Sequence, residues 1–212
     1  MAEKRNSLKF ISAILLAAGK STRMGKPKQL MPFGESTILE QAVDNFLGSG
    51  VSEVIVVIGH KAEEVREILA AKPVKLVVNP DYEQGMSTSI IAGLKRVDNQ
   101  AKAVTLALGD QPLIDSQTIN KLIDEFDKSS KGIVIPTYQG KRGHPVIFDM
   151  KYKGELLKIR GDIGGREIIR EHPDDVLEVA VRSEGVCIDI DTADSYSSGR
   201  LTQVSKCSGG GD

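Results

Sequence analysis

"ISAILLAAGKSTRMGKPKQL" (Ile11–Leu30) is the stretch on which the fold turns. Its apolar start, Ile11–Ala17, has strand length and no alternation, as expected for a strand buried on both faces. Gly19 ends the run. A loop follows that carries Lys20, Arg23, Lys26 and Lys28 and no acid. A buried strand leading through a glycine loop to a helix makes an anion site, because free backbone N–H groups and the helix dipole point at the ligand. Two common phosphate motifs are excluded. The gap between Gly19 and Gly25 is one residue too long for a P-loop, and Pro27 follows Lys26 where that motif needs Ser or Thr. "AAGKST" also lacks the G-x-G-x-x-G of dinucleotide sites. The loop is long enough to wrap a triphosphate. Arg23 and Lys28 are its best-placed cations, and Lys28 follows a proline that constrains the backbone.

Further strand-length apolar runs are "EVIVVIG" (Glu53–Gly59), "VKLVVN" (Val74–Asn79), "AVTLALG" (Ala103–Gly109) and "GIVIPT" (Gly132–Thr137). Helical patterns lie between most of them, at Thr37–Leu47, Ala62–Leu69, Ser87–Arg96 and Ser116–Phe126, the last with a cap at Asp115 or Ser116. Alternating strand and helix predicts an α/β fold with a mainly parallel sheet. After Thr137 the rhythm changes. "YQGKRGHPVIF" is a glycine-punctuated loop entering a strand at Val146–Phe148. "GELLKI" and "GDIGGREIIREH" read as short helices, "VLEVAV" and "GVCIDI" as strands, and "TADSYSSGRLTQV" as a last helix. This half is expected to return on the same sheet, giving one domain over 8–206 with halves 8–137 and 138–206. A Gly/Ser-rich tail, 207–212, is expected to be frayed.

Composition narrows the function. The chain has 212 residues and a formal net charge of −1, so any positive charge that matters is local and no broad nucleic-acid surface is implied. No stretch has the length of a membrane span, and the N-terminal residues do not read as a signal peptide. Cys187 and Cys207 form no C-x-x-C pair, which fits reduced thiols. A cytoplasmic protein without nucleic-acid or membrane partners is expected.

In open sheets of this class, ligands sit beyond the carboxyl ends of the strands. The segments leaving those ends are the opening loop, "GHK", "NPDYEQGMSTS", "GDQP" and "DIDT". Asp110 leaves a strand into a loop, where it can cap a turn or ligate Mg²⁺ carried by a triphosphate. Asp189 and Asp191 alternate and would share one face of a strand. Ser87, Thr88 and Ser89 would lie in the first turn of a helix, where they can contact ribose or base or simply cap it. "GHK" is a plain strand-to-helix turn.

The pattern Leu16-Ala17-Ala18-Gly19, Ser21, Arg23-Met24-Gly25 and Lys28 resembles the opening motif of the MobA/MocA-type nucleotidyltransferases, and the resemblance extends over roughly Ile11–Tyr196. It implies a three-layer α/β/α, Rossmann-like (GT-A-like) fold. It implies nucleotide binding by Leu16, Ala17, Ala18, Gly19, Ser21, Arg23, Gly25 and Lys28, with Gly109 and Asp110, and by Asn79, Gly85, Ser87 and Ser89 of the segment that matches N-x-x-x-x-x-G-M-x-x-S. Arg23, Lys28 and Asp110 take catalytic roles in this reading, and Asp110 with Asp191 holds Mg²⁺, Asp189 being the reserve. "RGHPVIF" and "GDIGGR" match acceptor-half motifs, which implicates Arg142, His144, Asp162 and Arg166.

The acceptor in that family is molybdenum cofactor, a pterin with a terminal phosphate, destined for a molybdenum hydroxylase client. Ala18 follows the cytidylyl form of the motif, so CTP is the expected nucleotide; its methyl is expected to limit the approach of a purine. Three histidines, His60, His144 and His172, stand beside no obvious nucleophile. A phosphate acceptor needs little base catalysis, since its second pKa is near ~6. A guanylyltransferase, another phosphate-acceptor nucleotidyltransferase and a non-catalytic cofactor-delivery chaperone are the alternatives.

Overall fold

The strand that opens the sequence is the middle of the sheet. A computed structural model describes residues 10–21, 27–190 and 196. In chain order its elements are β1 (Ile11–Ala17), β2 (Pro32–Phe33), β3 (Ser36–Thr37), α1 (Ile38–Leu47), β4 (Glu53–Ile58), α2 (Ala62–Ile68), β5 (Lys75–Val78), α3 (Met86–Leu94), β6 (Ala103–Leu108), α4 (Ser116–Lys128), β7 (Ile133–Tyr138), β8 (Lys141–Arg142), β9 (Val146–Asp149), α5 (Lys153–Leu156), α6 (Arg166–Glu171) and β10 (Val176–Ala180). The main sheet runs β10-β7-β9-β6-β1-β4-β5, with β8 paired to β7. β1 is parallel to β4 and β6, and β4 to β5. β9 is antiparallel to both β6 and β7, so the second half does return on the same sheet, as a mixed insertion. β2 and β3 form a separate small hairpin between the opening loop and α1.

Alternation along β1 splits the core in two. Ile11, Ala13 and Leu15 face Leu39, Val43 and Phe46 of α1 and Leu122 and Phe126 of α4. Ile14 faces Ile90 and Leu94 of α3, in a layer shared with Leu156 and Ile168. Successive strand side chains point to opposite faces, and both faces here are covered by helices, which explains the continuous apolar run. The α1 boundary is set by a capping box: Thr37 Oγ1 accepts from the Glu40 amide, and Glu40 Oε2 accepts from the Thr37 amide. Asp115, not Ser116, caps α4 through the Thr118 amide at 2.7 Å. Among the described residues no helix is long and apolar enough to cross a membrane.

Two expectations need correction. Lys75–Val78 is the edge of the sheet, with Lys75 and Val78 exposed, so its apolar run does not mark burial on both faces. "GVCIDI" is not a strand. It begins in a 3-10 turn over Glu184–Cys187 and continues without ladder pairing to Ile190. Single bonds pin it instead: the His144 amide donates to the Val186 carbonyl and the Ile190 amide to the Asp110 carbonyl. The backbone packs tightly there: a Cβ on Gly143 would collide with the Val186 carbonyl, and one on Gly185 would lie 2.7 Å from the Leu113 carbonyl. The expected last helix lies outside the described residues except for Tyr196, whose hydroxyl donates to the Pro32 carbonyl at 2.5 Å.

The opposite end of the sheet holds a half-buried carboxylate. Glu53 accepts from the Ser12 hydroxyl at 2.5 Å, the Asp98 amide at 2.8 Å and the Lys75 ammonium at 2.5 Å. Burial pushes this carboxyl up, but these donors outweigh burial and leave it below the ordinary carboxylate range. A group depressed in the folded state stabilises the fold fully above its unfolded pKa, and that contribution is lost as pH falls through the folded value. The thermal midpoint should therefore drop as the pH falls below about 4.5, the ordinary value for Glu. Glu53→Gln should lower the midpoint at neutral pH and flatten this acid limb. A series of melting curves from neutral to acid pH checks both, and an unchanged acid limb in the variant would refute the assignment.

Candidate active site

Parallel pairing puts the carboxyl ends of β1, β4, β5 and β6 on one edge. The sheet order reverses between β1 and β6, the point where a crevice opens. Ala17-Ala18-Gly19 leaves β1 there, and Gly109-Asp110 leaves β6 beside it. The Gly109 amide donates to the Leu16 carbonyl at 3.0 Å. A Cβ on Gly109 would come within 2.9 Å of the Leu39 side chain, 3.1 Å of Ala17 and 3.2 Å of the Leu16 carbonyl, so the two strand ends cross closely.

Lys28 and Asp110 meet at this crossing as an ion pair, with side chains 14% and 15% exposed. They are distant in sequence, and the fold brings them together. The opening loop carries no acid of its own, but acids from other segments pair with it: Asp110 with Lys28, and Glu83 with Lys20 at 2.6 Å. The Lys20 pair is exposed and of little energetic weight. Arg23, Gly25 and Asp191 lie outside the described residues. The Ile190 amide is held on the Asp110 carbonyl at 3.1 Å, which brings Ile190 alongside Asp110. Asp110 offers hard carboxylate oxygens at a place where it already holds a cation, the Lys28 ammonium. That donor chemistry fits a hard divalent ion.

The loop residues divide by direction. Gly19 is exposed, and the space where a Cβ would stand is open. Ala17 and Ala18 are 2% and 5% exposed. The Ala18 methyl thus points into the protein, and the expectation that it limits the approach of a purine is corrected. Leu16 reaches the neighbouring cleft. Ser21 adopts a left-handed φ of 53°, and its hydroxyl accepts from the Lys28 amide at 3.2 Å.

The segment after β5 is a buried scaffold. Asn79 Nδ2 donates to Thr88 Oγ1 at 2.9 Å and to Ser89 Oγ at 3.0 Å. Asn79, Ser87 and Ser89 are all at most 4% exposed. The side chains of Asn79 and Ser89 hold each other and set the entry angle of α3. Gly85 adopts a φ of 109°, and a Cβ there would lie 2.8 Å from the Gly161 backbone. The Ser87 amide donates to the Gly161 carbonyl at 3.0 Å, and the Met86 amide to Asp162 Oδ1 at 2.8 Å. Asp162 caps α3 and fastens the "GDIGG" turn to it.

Beyond this turn lies a cleft of about 820 Å³ that all four expected acceptor residues line, Arg142, His144, Asp162 and Arg166. Its floor is apolar, from Leu106 and Leu108 of β6, Ile135 of β7, and Val146 and Phe148 of β9. Arg142 is not unengaged: its guanidinium pairs with Glu178 through Nε at 2.8 Å and Nη2 at 2.6 Å. Burial lowers the His144 imidazole below its usual range, against the nearby Asp189 carboxylate. Its ring is therefore neutral at neutral pH. Sequence reasoning missed four lining residues, Gln111, Lys141, Arg170 and Asp189 in its cleft-facing role. Gln111, 2% exposed, donates to Asp189 Oδ1 at 2.7 Å. Arg170 lies one helical turn beyond Arg166, and that i, i+4 spacing was legible.

Residues 13–176 match the model of the MobA-like NTP transferase domain. The chain belongs to the MobA-like NTP transferases. Curated relatives include the nicotine blue oxidoreductase of Paenarthrobacter nicotinovorans, 29% identical over 194 residues and covering 88% of this chain and 95% of that protein. The molybdenum cofactor cytidylyltransferase of Escherichia coli K12 is 28% identical over 187 residues, covering 88% and 93%. Among solved structures, Rv0371c from Mycobacterium tuberculosis H37Rv superposes with a TM-score of 0.83 at 33% identity, over 92% of this chain and 99% of that one. Rv0371c has also been solved in complex with manganese, with a TM-score of 0.79 at 30% identity, over 92% and 100%. A nucleotidyltransferase from Methanothermobacter shares the fold, with a TM-score of 0.82 at 24% identity over 93% and 99%. The three-layer, mainly parallel architecture expected from the sequence is thus the architecture of MobA-like nucleotidyltransferases.

Proposed function

We propose that this MobA-like transferase moves CMP from CTP to the terminal phosphate of molybdenum cofactor, in the cytoplasm, releasing pyrophosphate. One observation carries the reading. The cleft that Leu16 and Leu108 reach from the ends of β1 and β6 has an apolar floor and is lined by the cations Lys141, Arg142, Arg166 and Arg170 beside Asp162 and Asp189. Such a cleft suits a flat ring that bears an anionic group. The Escherichia coli relative named above supports the choice of acceptor and of CTP.

In this reaction an oxygen of the acceptor phosphate attacks the α-phosphorus. The bond to the bridging β-oxygen breaks, and pyrophosphate carries the electron pair away. The Lys28 ammonium and the Arg23 guanidinium neutralise the triphosphate, and the loop amides orient it. Asp110 and Asp191 would hold Mg²⁺, which supplies further neutralisation of phosphate charge. Arg142, Arg166 and Arg170 hold the acceptor's anion. A phosphate nucleophile is largely ionised at neutral pH, so no side chain has to remove a proton.

The test is to incubate the protein with molybdenum cofactor and each nucleoside triphosphate and to measure pyrophosphate. Release with CTP above the others is expected. Preference for GTP would make it a guanylyltransferase. Release only with another phosphate acceptor would move the acceptor. Binding of cofactor without turnover would make it a delivery protein. Passing the product to a molybdenum hydroxylase client belongs to the same proposal.

A further inference from the structure

Gln29 is 4% exposed, and both ends of its amide are engaged. Nε2 donates to the Gly19 carbonyl at 3.0 Å and to the Ala17 carbonyl at 3.4 Å. Oε1 accepts from the Ser21 hydroxyl at 3.2 Å, and that hydroxyl oxygen accepts from the Lys28 amide. The orientation of the side-chain amide is chemically determined, since the reverse would set Oε1 against two carbonyl oxygens. These bonds tie the entry of the opening loop to its exit. They also hold Ser21 at a φ that non-glycine residues seldom adopt.

The consequence is a polarity in the turn. The carbonyls of Ala17 and Gly19 face Gln29, and the Ala18 carbonyl accepts from the His60 amide at 3.1 Å. The oxygen side of the turn is therefore bound to protein. The amides of Gly19, Lys20 and Ser21 have no acceptor among the described residues, and the space over Gly19 is open. A phosphate site needs this arrangement, with N–H groups outward and carbonyls averted.

We propose that Gln29 is the positioning residue that polarises the loop. It holds the carbonyls inward so that the phosphates of a nucleoside triphosphate meet only amides, and it places Lys28 next to Asp110. It touches no reacting atom. The inference rests on the reading of this loop as the nucleotide site and adds a residue to it.

The experiment is calorimetric titration of CTP and Mg²⁺ into the wild type, Gln29→Leu and Gln29→Glu, over a range of pH. Gln29→Leu should raise the Kd for CTP by about tenfold or more, since two donors and an acceptor are lost. Gln29→Glu should be worse at neutral pH, where a carboxylate faces two carbonyls. Protonating that carboxyl restores a donor, so the ratio of its Kd to that of the wild type should fall on acidification through about pH 5. Gln29→Leu should show no such recovery, and a merely structural role would give none in either variant. The KM for the acceptor should stay unchanged. Binding within about twofold of the wild type in both variants overturns the inference. If Gln29→Leu fails to fold, a Gln29→Glu ratio that is flat with pH overturns it alone. A wild type that binds no nucleoside triphosphate would instead refute the reading of the loop.

Discussion

Asp110→Asn should lower metal-dependent turnover by on the order of 10³-fold while the protein stays folded. The substitution keeps size and hydrogen-bonding capacity and removes one negative charge from the end of β6. That charge is placed by backbone and not by side-chain flexibility. Gly109 packs closely against the end of β1 with its amide on the Leu16 carbonyl, and the Asp110 carbonyl anchors the Ile190 amide. The loss should appear in kcat and in the Mg²⁺ titration, since a neutral ligand holds a hard cation poorly. Far-UV circular dichroism should not change, because the carbonyl contact to Ile190 is backbone. Near wild-type pyrophosphate release with an unchanged Mg²⁺ midpoint would remove Asp110 from the metal site.

Lys28→Ala should cost on the order of 10²- to 10³-fold in kcat. The ammonium is held at the site by the Asp110 carboxylate on one side and by the Ser21 hydroxyl on its backbone amide, so its position is prepared before nucleotide arrives. Because the two largely buried side chains pair with each other, each substitution also changes the surroundings of the other. The two substitutions should therefore be strongly non-additive, with the double variant little worse than the poorer single one. Measuring kcat for the two single variants and the double variant completes the cycle. Full additivity would mean that the two groups act separately and would refute their coupling.

Much of the framework was legible because it depends on local pattern. The unbroken apolar run of β1 announced a strand covered on both faces, and Thr37 and Asp115 announced the starts of α1 and α4 through caps that act within one turn. Identical cues misled where long-range context overrode them. Val74–Asn79 looks like a central strand, yet among the described residues it pairs only with β4 and so forms the edge of the sheet. Val186, Ile188 and Ile190 alternate like a strand, yet among the described residues the segment is held by single bonds to His144 and Asp110 and not by a ladder.

The site shows the same division. The sequence by itself determined that a glycine loop rich in lysine and arginine follows a buried strand, and that Asp110 leaves another. Spacing and residue type are local properties, and they suffice to point to a candidate anion site and a candidate metal ligand. Tertiary structure alone decided which charges meet. Lys28 faces Asp110 and Lys20 faces Glu83 because β1, β5 and β6 end at one edge of a parallel sheet. It also decided directions. Ala18 turns its methyl inward, Asn79 and Ser89 spend their side chains on each other, and Gln29 faces the carbonyls of the loop. Side-chain direction follows from which neighbour fills the adjoining space, and that neighbour is distant in sequence. A motif can thus name the residues of a site, but only packing determines which of them turn toward the ligand and which hold the others in place.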